Sequence, residues 1–207
     1  MATVAIHPRA ARTRRALLDA GLDLLAQRPI DAIAIDEVVA RAGVAKGSFF
    51  NHFVDKPGFG NAVSEAVRLE LESRVAAANA GVTDPVMRLA GGTRVAVDFA
   101  LTERKRAIVM LRGLGAATEV DHELNRGVRA DIAALTASGQ TRPEAVSSGV
   151  RFWLGLCQVS LLNVIERQSD RDEAAQRLAE MLVLGLTGLG VDEARARAAA
   201  QAVSAQL

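Results

Sequence analysis

The sequence predicts an all-α protein: an amino-terminal three-helix cluster of helix-turn-helix shape, followed by a larger set of longer helices. Three observations carry that expectation. Alanine and leucine are abundant, proline is limited to 5 residues, and runs of β-branched or aromatic residues of strand length are scarce. Apolar residues return every three or four positions through most of the chain, the period of a helix with one buried stripe. Gly113, Gly115, Gly139 and Gly190 fall between such periodic segments and mark breaks. With 207 residues, 50% of them from AVILMFWYC, the chain can bury a substantial core as one domain or as two small ones sharing an interface.

Taken in order, Leu17, Leu18, Leu22, Leu24 and Leu25 make Thr13 to Gln27 a helix with a broad apolar stripe. The stretch RPID stops it, because proline cannot propagate a helix. A short second helix follows, with Ile35, Val38, Val39 and Ala42 on one face and Asp36 and Glu37 at the positive end of its dipole. Ile33 is placed to staple against Val38, and Gly43 ends the helix as a left-handed residue. The third helix must be very short, about Ala45 to Phe53, because Asp55-Lys56-Pro57 already signals the next start: an acidic N-cap, then proline in the first turn. A fourth, long helix runs from there to about Ala80. Segments this short are not stable alone, so the first three must close on one another while the fourth leads out of the cluster. Beyond Asp84, helices are expected at roughly 84–101, 103–112, 121–138, 144–167, 171–188 and 192–205. The domain division falls near residue 55: 1–55 as the helix-turn-helix domain and 56–207 as a helical effector-binding and dimerisation domain, with 56–80 as connecting helix.

The stretch GVAKGSFFNHFVDK, residues 43–56, carries the functional signal. On a helix, Phe49 and Phe53 are four apart and stack on one face, with Val44 leading into it; these are core residues. The opposite surface presents Lys46, Gly47, Phe50 and Asn51, with Ser48 and His52 at its sides. Gly47 is costly inside a helix, and close approach by a partner would account for it. A helix, a glycine turn and a second short helix make the shape whose second helix enters the major groove, where Asn can pair with adenine and Lys with guanine. Lys56, just after the short helix, suits a phosphate. Charge agrees: residues 1–60 hold eight Lys/Arg against six Asp/Glu, and Arg9, Arg12, Arg14 and Arg15 fall within seven positions, although the whole chain nets only +1.

The run TRRALLDAGLDLLAQRPIDAIAIDEVVARAGVAKGSFFNHFVDKPGF resembles the amino-terminal DNA-binding domain of TetR-family transcriptional regulators. The likeness covers about fifty residues and is most specific from Ile35 to Lys56; the rest agrees only in size and helical layout. It implies a homodimer whose two recognition helices sit in successive major grooves of a palindromic operator, most often repressing transcription. A small molecule in the carboxy-terminal domain would shift the fourth helix and release double-stranded DNA. Carried onto this chain, Lys46, Gly47, Ser48, Phe50, Asn51 and His52 become the recognition surface and Lys56 the phosphate anchor. Three departures matter. The family usually has tyrosine where this chain has Phe50, and the chain contains no tyrosine, so the hydroxyl that would bond a phosphate is missing. Ala34 and Ala45 stand where Thr or Ser commonly caps the second and third helices. Weaker phosphate holding is expected, offset by Arg9, Arg12, Arg14 and Arg15 as an amino-terminal arm along the duplex or left idle in a tail.

The helices near 144–167 and 171–188 are apolar around more of their circumference than one core requires: beside a stripe of Val146, Val150, Trp153, Leu154, Cys157, Leu161, Val164 and Ile165, the first carries Leu156, Val159 and Leu162 on other sides, and Leu178, Met181, Leu182, Leu184, Gly185 and Leu186, with Leu189 just past them, repeat that excess in the second. Two such helices from each subunit would make a four-helix homodimer interface. An effector pocket is expected among the fourth to eighth helices, lined by Met87, Val97, Phe99, Met110, Leu111, Phe152 and Trp153, with Arg94, Asp98 and Arg151 as candidates to orient a polar group. These favour a mainly hydrophobic small molecule.

Other function classes find little support. Cys157 is the single cysteine, which rules out an intrachain disulfide, and its leucine neighbours suit a small buried residue. His7, His52 and His122 lie far apart without ligand spacing, so no metal or cofactor is expected. No glycine-rich phosphate loop or nucleophile-base pair stands out; Ser48 and His52 share a flank of a short helix with no third group to orient them, so the chain is not expected to be an enzyme. A helical protein-interaction adaptor would leave the Lys46 to Lys56 surface unexplained. The amino end lacks an apolar signal segment and no uninterrupted run reaches 18 apolar residues, so a cytoplasmic protein without a membrane partner is expected. Nothing in the sequence separates a repressor from an activator of the same fold.

Overall fold

The structure, a computed structural model, describes residues 8–113 and 120–207. His7 and the break at Gly115 lie outside the described residues. The helices are α1 (Pro8–Leu25), α2 (Ile35–Ala42), α3 (Lys46–Phe50), α4 (Lys56–Ala78), α5 (Pro85–Thr102), α6 (Arg104–Arg112), α7 (Arg126–Ala137), α8 (Ala145–Arg167), α9 (Arg171–Leu189) and α10 (Glu193–Ser204). Short 3-10 turns occupy Ile30–Ala32 and Glu123–Asn125, and no strand occurs among the described residues. The expected all-α class is observed.

Start and stop signals explain most boundaries. Asp55 caps α4 by accepting from the Gly58 amide at 2.7 Å, with Pro57 in the first turn. Asp84, Asp170 and Asp192 cap α5, α9 and α10 in the same manner. Gly43 ends α2 in the left-handed region at φ 65°, where glycine bears no Cβ penalty. At the N-caps of α2 and α3, Ala34 and Ala45 offer the backbone no side-chain bond.

Three expectations need correction. The first helix already includes Pro8 rather than starting at Thr13, because the apolar stripe marks only its buried part while a run of alanine and arginine extends it. Arg9, Arg12, Arg14 and Arg15 stand on this helix, and the Arg14 guanidinium sits 5.5 Å from the centre of the Phe53 ring. The third helix ends at Phe50 rather than Phe53, leaving Asn51 at its C-cap and His52 in the following turn. The helix expected over 121–138 is split, since His122 accepts from the Leu124 amide at 3.2 Å and a 3-10 turn precedes α7.

The first three helices close around Leu17, Val38, Phe49 and Phe53, all nearly inaccessible, and α4 contributes Phe59 to the same core. The rings of Phe49, Phe53 and Phe59 pack mutually, with centroids 4.9 to 5.5 Å apart. Further along, α5 is the central helix, packed by α4, α6, α7, α8, α9 and α10. One side of α8 enters this core through Trp153, Leu161, Val164 and Ile165. Its other side leaves Val146, Phe152, Val159 and Leu162 exposed, beside Leu184 of α9. By length and a mean hydropathy of 1.3 over its best window, α8 is the one described helix that could cross a membrane, but 39% of that window is buried inside the protein. A helix with one flank built into a core is a packing element whose second flank is left over.

Candidate nucleic-acid interface and core cavity

The interface is built from a rigid back and an accessible front. Phe49 is fully buried and Phe53 nearly so, which holds α3 against α2 and the Phe59 ring of α4. On the front, Lys46, Gly47, Phe50 and Asn51 are exposed, and Ser48, His52 and Lys56 are partly so. The six residues expected on the recognition surface, and Lys56 as the expected phosphate anchor, thus lie within one short segment and reach solvent. Lys46 Nζ lies 2.8 Å from Asp36 Oδ1, an exposed pair that a phosphate or base edge can replace at little cost. A Cβ built at Gly47 meets nothing within 4 Å, so packing within this chain does not require glycine there. Phe50 is 55% exposed and stands edge-on to Phe49, with centroids 5.4 Å apart. Lys56 opens α4, and its ammonium donates to the Asp31 carbonyl at 3.0 Å, which aims it along the edge of the cluster.

A second feature lies among α4 to α8: a cavity of about 680 Å³. Of the seven residues expected to line an effector pocket, Met110, Leu111 and Trp153 do so. The other four lie elsewhere. Phe99 is buried beneath the Arg74 guanidinium, 5.0 Å from its ring centre. Val97 borders a smaller space of about 150 Å³ between α5, α8 and α9. Phe152 is 46% exposed on the outer flank of α8, and Met87 is half-buried on α5 away from the cavity. The polar candidates also fall outside: Asp98 pairs with Arg171 at 3.0 Å, and neither Arg94 nor Arg151 reaches the cavity wall.

The polar groups that do line the cavity were not singled out by the sequence. Arg68 pairs with Glu72 at 3.0 Å and donates to Asn125 Oδ1 at 2.9 Å; Arg88 pairs with Asp131 at 2.6 Å. The first pair carries a visible signal, an i, i+4 spacing on α4. The second joins residues 43 apart in sequence and is invisible without the fold. Burial pushes the Asp131 carboxyl above its usual range, against the opposing pull of Arg88. Cys157 is half-buried at the cavity wall rather than fully buried as expected; its apolar surroundings push the thiol up to about 11, although it contacts Thr93 Oγ1 at 3.4 Å, so it is protonated at neutral pH.

Two links tie the cavity to the helix cluster. The first is α4, which contributes Phe59 to the α3 core and Arg68, Glu72 and Val75 to the cavity. The second is the end of α6, where Ser64 Oγ donates to the Val109 carbonyl at 3.0 Å and Arg112 donates to the Leu25 carbonyl at the end of α1. A Cβ at Gly113 would overlap the Ser64 side chain, so α4 and α6 approach as closely as glycine permits.

A short, outward-facing helix backed by buried aromatic residues in a three-helix corner defines a helix-turn-helix protein of the kind that reads duplex DNA. Residues 17–63 match the family described as bacterial regulatory proteins, tetR family. Over 59 residues the chain is 37% identical to the transcriptional regulator AcuR of Cereibacter sphaeroides, covering 28% of this chain and 27% of that one. Over 47 residues it is 38% identical to the HTH-type transcriptional regulator YwcC of Bacillus subtilis, covering 23% and 21%. These matches span only about a quarter of either relative's length. Similar solved structures extend the likeness of fold to nearly the whole chain. A TetR-family regulator from Shewanella sp. PV-4 superposes with a TM-score of 0.75 at 16% identity, over 87% of this chain and 99% of that one. RolR in complex with resorcinol gives 0.64 at 23% identity over 93% and 94%, and a γ-butyrolactone receptor gives 0.60 at 20% over 96% and 100%. The names are those of transcription regulators, not of enzymes.

Proposed function

We propose that the chain is a ligand-responsive transcriptional repressor that binds a palindromic operator as a homodimer and is released by a small, mainly hydrophobic molecule. Residues 1–55 form its DNA-binding domain and 56–207 its effector and dimer domain. Lys46, Asn51 and His52 face base edges, Gly47 permits close approach, and Ser48, Phe50 and Lys56 meet the backbone. The observation that carries this reading is that one helix, α4, walls the cavity and also packs behind α3. From Phe59 to Glu72 the helix spans roughly 20 Å at 1.5 Å per residue, so a small tilt at the cavity end displaces the recognition element. Two neighbours of similar fold, RolR with resorcinol and the γ-butyrolactone receptor, are named for small ligands, which supports a ligand role for the cavity without specifying which ligand.

The dimer rests on the exposed apolar flank of α8 and α9, where Val159, Leu162 and Leu184 are 57%, 43% and 66% exposed. Mass measured in solution at low micromolar concentration tests this directly. Twice the 21.8 kDa chain mass is expected. The variant Leu162→Glu/Leu184→Glu should be monomeric and lose most operator affinity, because the two half-sites are then bound independently. A wild-type monomer that binds operator unchanged would refute the arrangement.

A further inference from the structure

The core cavity is charge-balanced by fixed internal pairs. Arg68 is matched by Glu72 and Arg88 by Asp131, and at the rim Arg126 lies 3.4 Å from Glu123. The two inner guanidiniums are further committed, Arg68 to Asn125 and Arg88 to the Val82 carbonyl at 3.3 Å. Asp131 is 11% exposed and Arg88 32%, so this pair has little water to fall back on. The remaining wall is largely apolar, with Trp153, Leu89, Met110 and Leu161 among its members, and Gln158 adds a neutral carboxamide.

We infer that the cavity takes an uncharged amphipathic molecule, and that Asp131, by holding Arg88, is the residue that excludes anions. This rests on reading the cavity as the effector site. An entering carboxylate or phosphate can meet the exposed Arg126 only at the rim; inside, each guanidinium already has its carboxylate, and taking Arg88 from Asp131 leaves a desolvated carboxylate without its partner. An entering cation meets the mirror problem, because taking Asp131 strands Arg88. A neutral molecule with an alcohol, phenol, amide or ester group leaves both pairs intact and bonds to Gln158 or to the outer lone pairs of the carboxylates. The raised carboxyl of Asp131 is consistent with a group whose one strong stabiliser is that guanidinium.

Trp153 is the single tryptophan of the chain and lines the cavity, so its fluorescence reports occupancy. The probes are isosteric pairs that differ in charge and do not absorb with tryptophan: octanamide with octanoate, and cyclohexanecarboxamide with cyclohexanecarboxylate. The wild type is expected to bind each amide at least about tenfold more tightly than its carboxylate. In Asp131→Asn the uncovered Arg88 should bring octanoate to equal or tighter binding while octanamide changes little. In Arg88→Gln/Asp131→Asn, which removes both charges at similar volume, the preference for the amide should return. The wild type and the double variant decide the matter even if Asp131→Asn fails to fold. Carboxylates binding the wild type as tightly as amides would overturn charge exclusion and leave the effector reading standing. No change at Trp153 with either member of either pair up to millimolar concentration would overturn the effector reading itself, and this inference with it.

Discussion

Phe50 concentrates what the sequence made visible and what it hid. Its exposure on the contact side follows from helical spacing, because Phe49 and Phe53 take the buried face. Its chemistry is a departure: a bare ring of 55% exposure stands where a phenol is usual in the family it resembles. Phe50→Tyr is expected to tighten operator binding about fivefold with base preference unchanged, since one added hydrogen bond to phosphate contributes about 1 kcal/mol. Competitive titration against operator and random duplex measures both quantities; equal affinity for both variants would mean the ring touches bases or sugar. Asn51 and Lys56 should separate in the same assay. Asn51→Ala relaxes sequence preference, whereas Lys56→Ala weakens all duplexes alike and lowers the salt slope by about 1. Equal losses on operator and random DNA for Asn51→Ala would remove it from the base-reading set. Cys157 makes a pH statement. Because burial raises its thiol to about 11, the folded state holds that proton more tightly than the unfolded chain does, so its contribution to stability is present below the ordinary thiol range and lost as pH rises towards 11. Alkylation at pH 8 should therefore be far slower in the folded protein than in urea.

Helix boundaries were legible wherever a capping residue or a glycine stood at them. Asp55, Asp84, Asp170, Asp192 and Gly43 all act as their types suggest. Two places were not legible for a definite reason. The first turns of α1 are polar, so apolar periodicity begins only when the helix reaches the core at Leu17. The break before α7 depends on a local bond that the Leu124 amide donates to His122, which leaves no periodic trace. Alanine at two N-caps is a legible weakness. Ala34 has extended backbone angles and Glu37 sits three residues on, so Ala34→Ser completes a capping box. Denaturant unfolding should show a gain of about 1 kcal/mol, within the usual 0.5–2 kcal/mol range for a cap. No gain would indicate that the Arg28–Glu37 pair already holds Glu37 too firmly to cap.

Assembled, the chain joins the cavity to the helix-turn-helix corner through α4 and the end of α6. The corner was readable in the sequence because its residues are contiguous, Val44 to Lys56. The cavity was only half readable: size and polarity picked Met110, Leu111 and Trp153, but Arg88–Asp131 is a meeting of distant segments. The close passage of Gly113 over Ser64 makes the coupling testable. Gly113→Ala should force α6 off α4, costing about 1–3 kcal/mol of stability and weakening operator binding without any ligand. Adding Ser64→Gly, which opens the space, should recover most of both. The most direct test of the central claim is selection of bound duplexes from a random pool by the full-length protein. An inverted repeat is expected, with half-site centres about one helical turn apart and the preference at one position per half-site lost in Asn51→Ala. Recovery of unrelated sequences, or of a single half-site without twofold symmetry, would contradict a dimer reading DNA through α3.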